Sequence, residues 1–190
     1  GENQSGQITE IGFSLYTDIL ERAVKSLQAG EIPNPDAPLD SGIELDLGIP
    51  AVIPEDYVYD VHLRLILYKR IASAKTSTEL DELKVEFIDR FGLLPDATKN
   101  LFQITQLRLL AEQVGVEKID ANDNGAKLIF SEKPNINPAR LIELIQTQAS
   151  NYRFNGTNTL NLIKELPHDG TRITEVTELI QTLSEKQKAA

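Results

Sequence analysis

The side chains of this sequence that could do acid–base or metal chemistry are its carboxylates and two histidines. With 29 Asp and Glu residues in 190, several carboxylates stand in close pairs: Asp81 with Glu82, Asp120 with Asp123, and Glu55 with Asp56. Acid–base catalysis needs two carboxyl groups in one cleft with their pKa values driven apart. Nothing in the sequence around these pairs indicates a cleft, so we interpret them as solvated surface.

The sequence also lacks the motifs that are typical of metal sites and of nucleophilic catalysis. His62 and His168 are far apart, and neither stands at ligand spacing with a second metal-binding residue. There is no cysteine, which excludes disulfides and thiolate chemistry. The stretch 120–125 lacks the bidentate Glu that closes an EF-hand loop, and phosphate-loop and nucleophile-elbow motifs are missing. We predict no catalytic residue, no cofactor site and no metal site in this chain.

A line of four carboxylates is the strongest candidate for a functional surface. Steps of 3, 4 and 3 place its members on one side of a predicted helix: Glu79, Glu82, Glu86 and Asp89. Like charges at these steps repel by about a few tenths of a kcal/mol per pair. Asp89 also lies near the negative end of the helix dipole, and Lys84 and Arg90 offset the charge only in part. A basic partner would relieve this repulsion, although a solvated helix face has the same pattern.

Two helices joined by a polar turn must position these acids. Helical spacing of apolar residues predicts the first helix from Pro54 to about Ala74. The second should start near Glu79, with Ser77 or Thr78 as its cap, and end at a positive-φ glycine. We expect that glycine to be Gly92. We expect the inward-facing residues of the second helix to be Leu80, Leu83, Val85 or Phe87, and Ile88.

The rest of the chain predicts an α+β fold, a small sheet built from hairpins with several packed helices, preceded by a long N-terminal helix. That long helix is predicted at 8–29 and a Pro-rich linker at 31–42. A strand is predicted at 43–53, and Pro50 should end or bend it. Asn-Gly pairs at 124–125 and 155–156 predict two hairpins. Further helices are predicted from Pro95 to Val114, from Pro138 with Asn137 as its cap, and from about 172 to 183. We therefore place a domain boundary between 1–42 and 43–190.

Composition limits the kind of partner. The formal net charge is −10, which opposes binding to duplex DNA, because phosphate contacts need clustered Lys and Arg. A basic protein suits this charge better. No apolar run is long enough for a transmembrane helix, and no signal segment opens the chain. The chain starts at Gly1 and contains no methionine, so we expect it to be a piece of a longer protein, although loss of the initiator methionine would also explain the start. The absence of cysteine is compatible with a cytoplasmic location, which we predict.

Two stretches carry a specific resemblance. IPAVIPEDYVYDVHLRLILYKRIASA at 49–74 and DRFGLLP at 89–95 closely resemble the C-terminal domain of the bacterial transcription-repair coupling factors, the Mfd family. The match continues more weakly to the end of the chain. Residues 2–16 resemble the stretch after the second translocation lobe of the family's motor, where Gln4 matches a glutamine of the loop that couples ATP hydrolysis to DNA movement. Only the tail of that motif is present, so we assign no motor function here.

The resemblance implies a regulatory module rather than an enzyme. Members of the family use ATP and Mg to translocate on DNA, displace stalled RNA polymerase and recruit the excision machinery through UvrA. It implies that this domain packs on the UvrB-like N-terminal module of the same parent chain, hides the UvrA-binding face and restrains the motor. Glu86 and Asp89 fall where the family places acidic contacts to basic residues of that module. We predict Glu82, on the same line of acids, as a further partner-binding residue.

Two alternatives stay open on the sequence. A local basic edge could bind nucleic acid, although Asp60 could pair with one of its members within the helix; that edge is Arg64, Lys69, Arg70 and Lys75. An unrecognised hydrolase would need a cleft that the sequence does not indicate.

Overall fold

The computed structural model describes residues 42–184. The long helix predicted at 8–29, the linker and Gln4 lie outside the described residues, and the boundary at 42/43 stays a prediction. The described residues form two compact units, 49–106 and 43–48 with 107–184. Each unit is described by itself below.

The first unit contains the predicted helix pair, but its first helix starts later than expected. Helix α1 is Val61–Ser73 and not 54–74. Asp60 is its N-cap, with the side chain accepting hydrogen bonds from His62 N at 2.8 Å and Leu63 N at 3.3 Å. Asp60 therefore binds the helix terminus rather than Arg64, and Arg64 donates to Val58 O at 3.1 Å instead. An Asp side chain satisfies free helix N–H groups well, which fixes the start of the helix here.

Helix α2 is Ser77–Phe91. Its cap is Thr76, one residue before the predicted candidates, and Thr76 Oγ1 accepts from Glu79 N at 3.2 Å. The predicted stop at Gly92 is confirmed, since this glycine has φ 91° and its N–H donates to Ile88 O at 3.0 Å. Helix α3, Asp96–Val114, begins in this unit and ends in the second.

The core of the first unit fixes the rotation of α2. Leu80, Leu83 and Phe87 are buried, and Phe87 makes edge-to-face contacts with Phe91 at 6.0 Å and with Phe102 at 5.2 Å between ring centroids. The prediction that Ile88, and alternatively Val85, points inward is wrong. Their side chains are 42% and 58% exposed, because the buried stripe runs through positions 80, 83 and 87 and leaves them on the outer side.

The predicted strand at 43–53 is also too long. Strand β1 covers only Glu44–Asp46. After Pro50, which has no N–H for a ladder, helix side chains satisfy the extended backbone. Ile53 N donates to Tyr68 Oη at 2.7 Å, and Val52 O accepts from Thr98 Oγ1 at 2.9 Å.

The second unit is built on a five-stranded mixed sheet in the order β1-β2-β3-β5-β4. Its other strands are β2 Val116–Asn122, β3 Gly125–Phe130, β4 Tyr152–Asn155 and β5 Thr159–Ile163. Strand β1 runs parallel to β2, and the remaining pairs are antiparallel. Both predicted hairpins are confirmed, and so is the α+β class.

Two helices accompany this sheet. Helix α4 is Pro138–Thr147, with the predicted cap Asn137 accepting from Ala139 N at 3.0 Å. Helix α5 is Asp169–Ser184 and starts three residues before the predicted position. The early start places Arg172 inside the helix, where the chain buries it.

Arg172 is the main buried charge of the second unit, at 5% exposure. Its guanidinium donates to Leu47 O at 2.8 Å and, through Nε, to Leu166 O at 3.2 Å, and it forms an ion pair with Asp123. A buried guanidinium is tolerated when its donors are satisfied. These bonds tie the end of β1, the first hairpin and the loop before α5 together.

The first hairpin generates a test of the fold. Gly125 has φ 148°, and a Cβ there would lie 1.9 Å from Leu162 O on strand β5. Gly156 also has positive φ, at 60°, but no atom would lie within 4 Å of its Cβ. We expect Gly156→Ala to lower the free energy of unfolding by roughly 1 kcal/mol, the cost of a left-handed alanine. Gly125→Ala should lower the free energy of unfolding clearly more, because its Cβ would also clash with the backbone oxygen of Leu162.

Urea denaturation of the two variants against the parent chain measures this difference. Equal loss of stability in both variants would contradict the pairing of β3 with β5 in this register.

Candidate docking surface on helix α2

We call the four carboxylates of α2 the acidic face, and in the structure none of them lies in the buried stripe of the helix. All four residues are exposed or half-buried, whereas Leu80, Leu83 and Phe87 face inward. The structure gives the four carboxylates different surroundings. These surroundings decide which of them can contact a partner.

Glu79 is engaged at the start of its own helix. Its Oε2 accepts a hydrogen bond from Lys75 N at 2.6 Å, while its N–H donates to the Thr76 cap. The carboxylate also lies in the first turn, where the helix dipole favours negative charge. Glu79 thus stabilises the turn between α1 and α2.

Glu86 is engaged by an arginine of the neighbouring helix. Arg70 binds both of its carboxylate oxygens, with Nη2 at 3.1 Å from Oε1 and Nη1 on Oε2. Arg90 approaches the same carboxylate at 3.5 Å. The hydrogen bond from Arg70 lowers the pKa of Glu86, and the same bond raises the pKa of Arg70. Glu86 therefore stays ionised at neutral pH, and its charge is already paired with arginines within the unit.

Glu82 and Asp89 are different, because neither carboxylate forms an ion pair or a side-chain hydrogen bond with any residue in 42–184. Both residues are exposed. Asp89 lies in the last turn of α2, where the helix dipole disfavours negative charge. These two acids carry the uncompensated charge of the acidic face.

Sequence reasoning missed the pair between Arg70 and Glu86. It placed Arg70 on a basic edge and counted only Lys84 and Arg90 against the acids. Lys84 in fact pairs with Asp81 at 3.0 Å. The available signal was the short turn at 74–76, which makes α1 and α2 neighbours and brings opposite charges on them within reach.

The predicted basic edge loses two of its four members in the structure. Arg64 donates to Val58 O, and Arg70 binds Glu86. That leaves Lys69 and Lys75, and Lys75 lies next to the carboxylate of Glu79. This arrangement does not favour a phosphate backbone, whose binding depends on several clustered cations.

The other candidate residues are not brought together. Asp123 pairs with Arg172, Asp120 approaches Lys118 at 3.7 Å, and both histidines are exposed. Within 42–184 no group of three His, Cys, Asp or Glu residues could hold a metal ion. None of the helices in that range is long and apolar enough to cross a membrane.

A shallow groove of about 400 Å³ lies beside the acidic face. It is lined by residues of α1, the turn and α2: Arg70, Ser73, Ala74, Glu79, Glu82, Leu83 and Glu86. Four of these seven residues are charged, which suits contact with a polar protein surface better than capture of an apolar small molecule.

The lowered pKa of Glu86 predicts a pH-dependent stability term. A carboxylate with a depressed pKa in the folded state stabilises that state above its ordinary pKa, 4.5 for this group, and the stabilisation is lost as pH falls through the depressed value. Glu86→Gln should therefore lower the free energy of unfolding at pH 7 by less than about 1 kcal/mol, because the pair is exposed. The loss should disappear in acid.

Asp89→Asn is the matched control, because Asp89 has no partner among the described residues. Denaturant titrations at pH 7 and at acid pH should show no loss for this control. A Glu86→Gln effect that persists unchanged in acid would contradict the ion-pair assignment.

Comparisons with known proteins agree on one family. The family model described as "TRCF domain" matches residues 47–141. The chain is 48% identical over 184 residues to the transcription-repair-coupling factor of Haemophilus influenzae, and 45% identical over 185 residues to that of Escherichia coli. Each alignment covers 97% of this chain and 16% of the relative.

A solved structure supports the fold independently. The crystal structure of the C-terminal domain of a transcription-repair coupling factor superposes with a TM-score of 0.65 at 22% sequence identity. The match covers 75% of this chain and 92% of that one. Sequence and fold together show that this chain belongs to the TRCF domain family of the transcription-repair coupling factors.

Proposed function

We propose that this chain is a non-catalytic regulatory domain of a transcription-repair coupling DNA translocase. In this proposal the acidic face of α2 docks on the UvrB-like N-terminal module of the same parent chain, masks its UvrA-binding face and restrains the motor. The observation that supports it best is the pair of unpartnered carboxylates, Glu82 and Asp89, on one exposed helix face. In this proposal ATP and Mg bind at the motor of the parent protein. Other parts of the parent contact UvrA and RNA polymerase, so this domain affects them only indirectly.

The electrostatics of α2 favour such a partner. Asp89 lies at the unfavourable end of the helix dipole, so a cation brought by a partner relieves that effect. Exposed ion pairs contribute only about 0–1 kcal/mol each. A docking contact made of a few such pairs can hold in the resting protein and still be released by a competing partner.

Glu86 has a shared role in this proposal. Its two oxygens already accept from Arg70, and a carboxylate has lone pairs for further donors. A basic side chain of the N-terminal module would join Arg70 on Glu86 or displace it. Arg70 also holds the Glu86 carboxylate in one orientation, which reduces the entropy lost on docking.

Charge reversal tests the proposal in the full-length parent protein. Glu86→Lys with Asp89→Lys should replace attraction by repulsion and release the N-terminal module. Reversal at both positions removes two exposed ion pairs worth about 0–1 kcal/mol each and adds repulsion in their place, so resting affinity for UvrA should rise by about tenfold. Resting ATPase activity should rise with it.

The matched control is Glu132→Lys with Glu165→Lys, which makes the same charge change at exposed residues of the second unit. Both variants are compared with the parent by UvrA titration and ATPase assay. If the α2 variant keeps resting values of both, the acidic face does not restrain the parent.

A further inference from the structure

The second unit contains a groove between helices α4 and α5. Its volume is about 300 Å³, which is enough for one long side chain. Leu144 of α4 and Leu179 of α5 line it, and Leu179 is buried. The groove therefore has an apolar part that can contact the methylene groups of a ligand.

Carboxylates dominate the charge of this groove. Its lining includes the three glutamates Glu143, Glu175 and Glu178, and Arg140 is the basic residue among them. Glu143 pairs with Arg140 at 3.3 Å, and Glu175 pairs with Lys164 at 2.7 Å. The Glu178 carboxylate forms no ion pair or hydrogen bond with any residue in 42–184. One negative charge in the groove is therefore unbalanced among these residues.

The threonines of the groove have already used their hydroxyl protons. Thr147 Oγ1 donates to Glu143 O at 2.6 Å, and Thr182 Oγ1 donates to Glu178 O at 2.9 Å. A hydroxyl group has one proton and two lone pairs, so each threonine presents only acceptor capacity to a ligand. With the Glu178 carboxylate, these oxygens suit a positively charged ligand that has several N–H donors.

Tyr152 adds an aromatic side chain to the lining of the groove. Burial raises the pKa of the Tyr152 phenol, and the charge of Glu175 raises it further, against a smaller opposite effect of Lys164. A negative potential that disfavours a phenolate favours a cation at the same place. The face of an aromatic ring also attracts cations.

An arginine side chain matches these features together. Its methylene stem can cover Leu144 and Leu179, and its guanidinium has five N–H donors and no acceptor. A planar guanidinium also stacks on an aromatic ring, whereas the ammonium of lysine is a compact and strongly hydrated charge. We infer that the groove between α4 and α5 is a second docking site, which binds an arginine of a protein partner and uses Glu178 as its ionic contact. This inference goes beyond the proposed function and does not depend on the acidic face of α2.

Titration with a single arginine tests the inference on this 190-residue chain. The probe is N-acetyl-arginine N-methylamide, whose blocked termini imitate an arginine within a protein. Heteronuclear NMR should show saturable shifts of the backbone amides of Leu144, Tyr152 and Leu179, with a Kd of about 1 mM for a ligand of this size. The uncharged citrulline analogue should bind about tenfold more weakly, because it has nearly the same shape without the charge.

A pair of variants locates the ionic contact. Glu178→Gln should weaken binding of the arginine probe by about threefold to fivefold, as expected for an exposed ion pair. The matched control is Glu132→Gln, which makes the same change at an exposed residue of the second unit outside the groove. The control should leave the Kd unchanged, and circular dichroism should show that both variants fold.

Several outcomes would overturn the inference. They are the absence of saturable shifts at the groove, equal binding of the arginine and citrulline probes, and an equal effect of the two glutamine variants. Equal binding of N-acetyl-lysine N-methylamide would show a site for any cation rather than for arginine. If the same amides shift when the chain alone is concentrated, the occupant is a second copy and the inference is likewise overturned.

Discussion

Helix α2 is held in the core of the first unit by three side chains, Leu80, Leu83 and Phe87, and its surface chemistry depends on that anchoring. Burial of these residues, with Phe87 packed against two further rings, fixes the rotation of the helix about its axis. The 3.6-residue period then turns positions 82, 85 and 89 outward. The buried residues therefore stabilise the position of the helix. The exposed face can contain several carboxylates, although like charges lower the stability of the isolated domain.

The acids on that face have separate tasks. Glu79 secures the turn, and Glu86 joins α1 to α2 through Arg70. Glu82 and Asp89 do neither, because within the described part of the chain their carboxylates form no ion pair. A surface that is mildly unfavourable alone and favourable when docked suits a contact that must form and release within one protein.

The sequence was most informative where a local rule decides the conformation. The Asn-Gly hairpins, Gly92 after α2 and Asn137 before α4 each follow from backbone conformations or caps that few residues supply. The line of acids followed from helical spacing alone. The resemblance to the family was visible in two short stretches, and the comparisons confirm it.

The remaining features depend on contacts between distant residues. Helix α1 starts at Val61 and not at Pro54, because the Asp60 side chain caps the free N–H groups at that point. The backbone at 52–53 is satisfied by Tyr68 and Thr98 rather than by a strand. No local pattern shows that Arg70 would reach Glu86, or that Ile88 would face outward. Because of such contacts the four acids are not equivalent: Glu79 and Glu86 are engaged, whereas Glu82 and Asp89 have no partner among the described residues.

Carboxyl footprinting tests the central claim most directly. A carbodiimide-coupled amine labels exposed Asp and Glu side chains, and mass spectrometry compares this 190-residue chain with the full-length parent at rest. Our account predicts that labelling of Glu82 and Asp89 falls sharply in the parent, while labelling of Glu132 and Glu165 stays the same. Equal labelling of Glu82 and Asp89 in both proteins would show that the acidic face is uncovered at rest and would contradict the account.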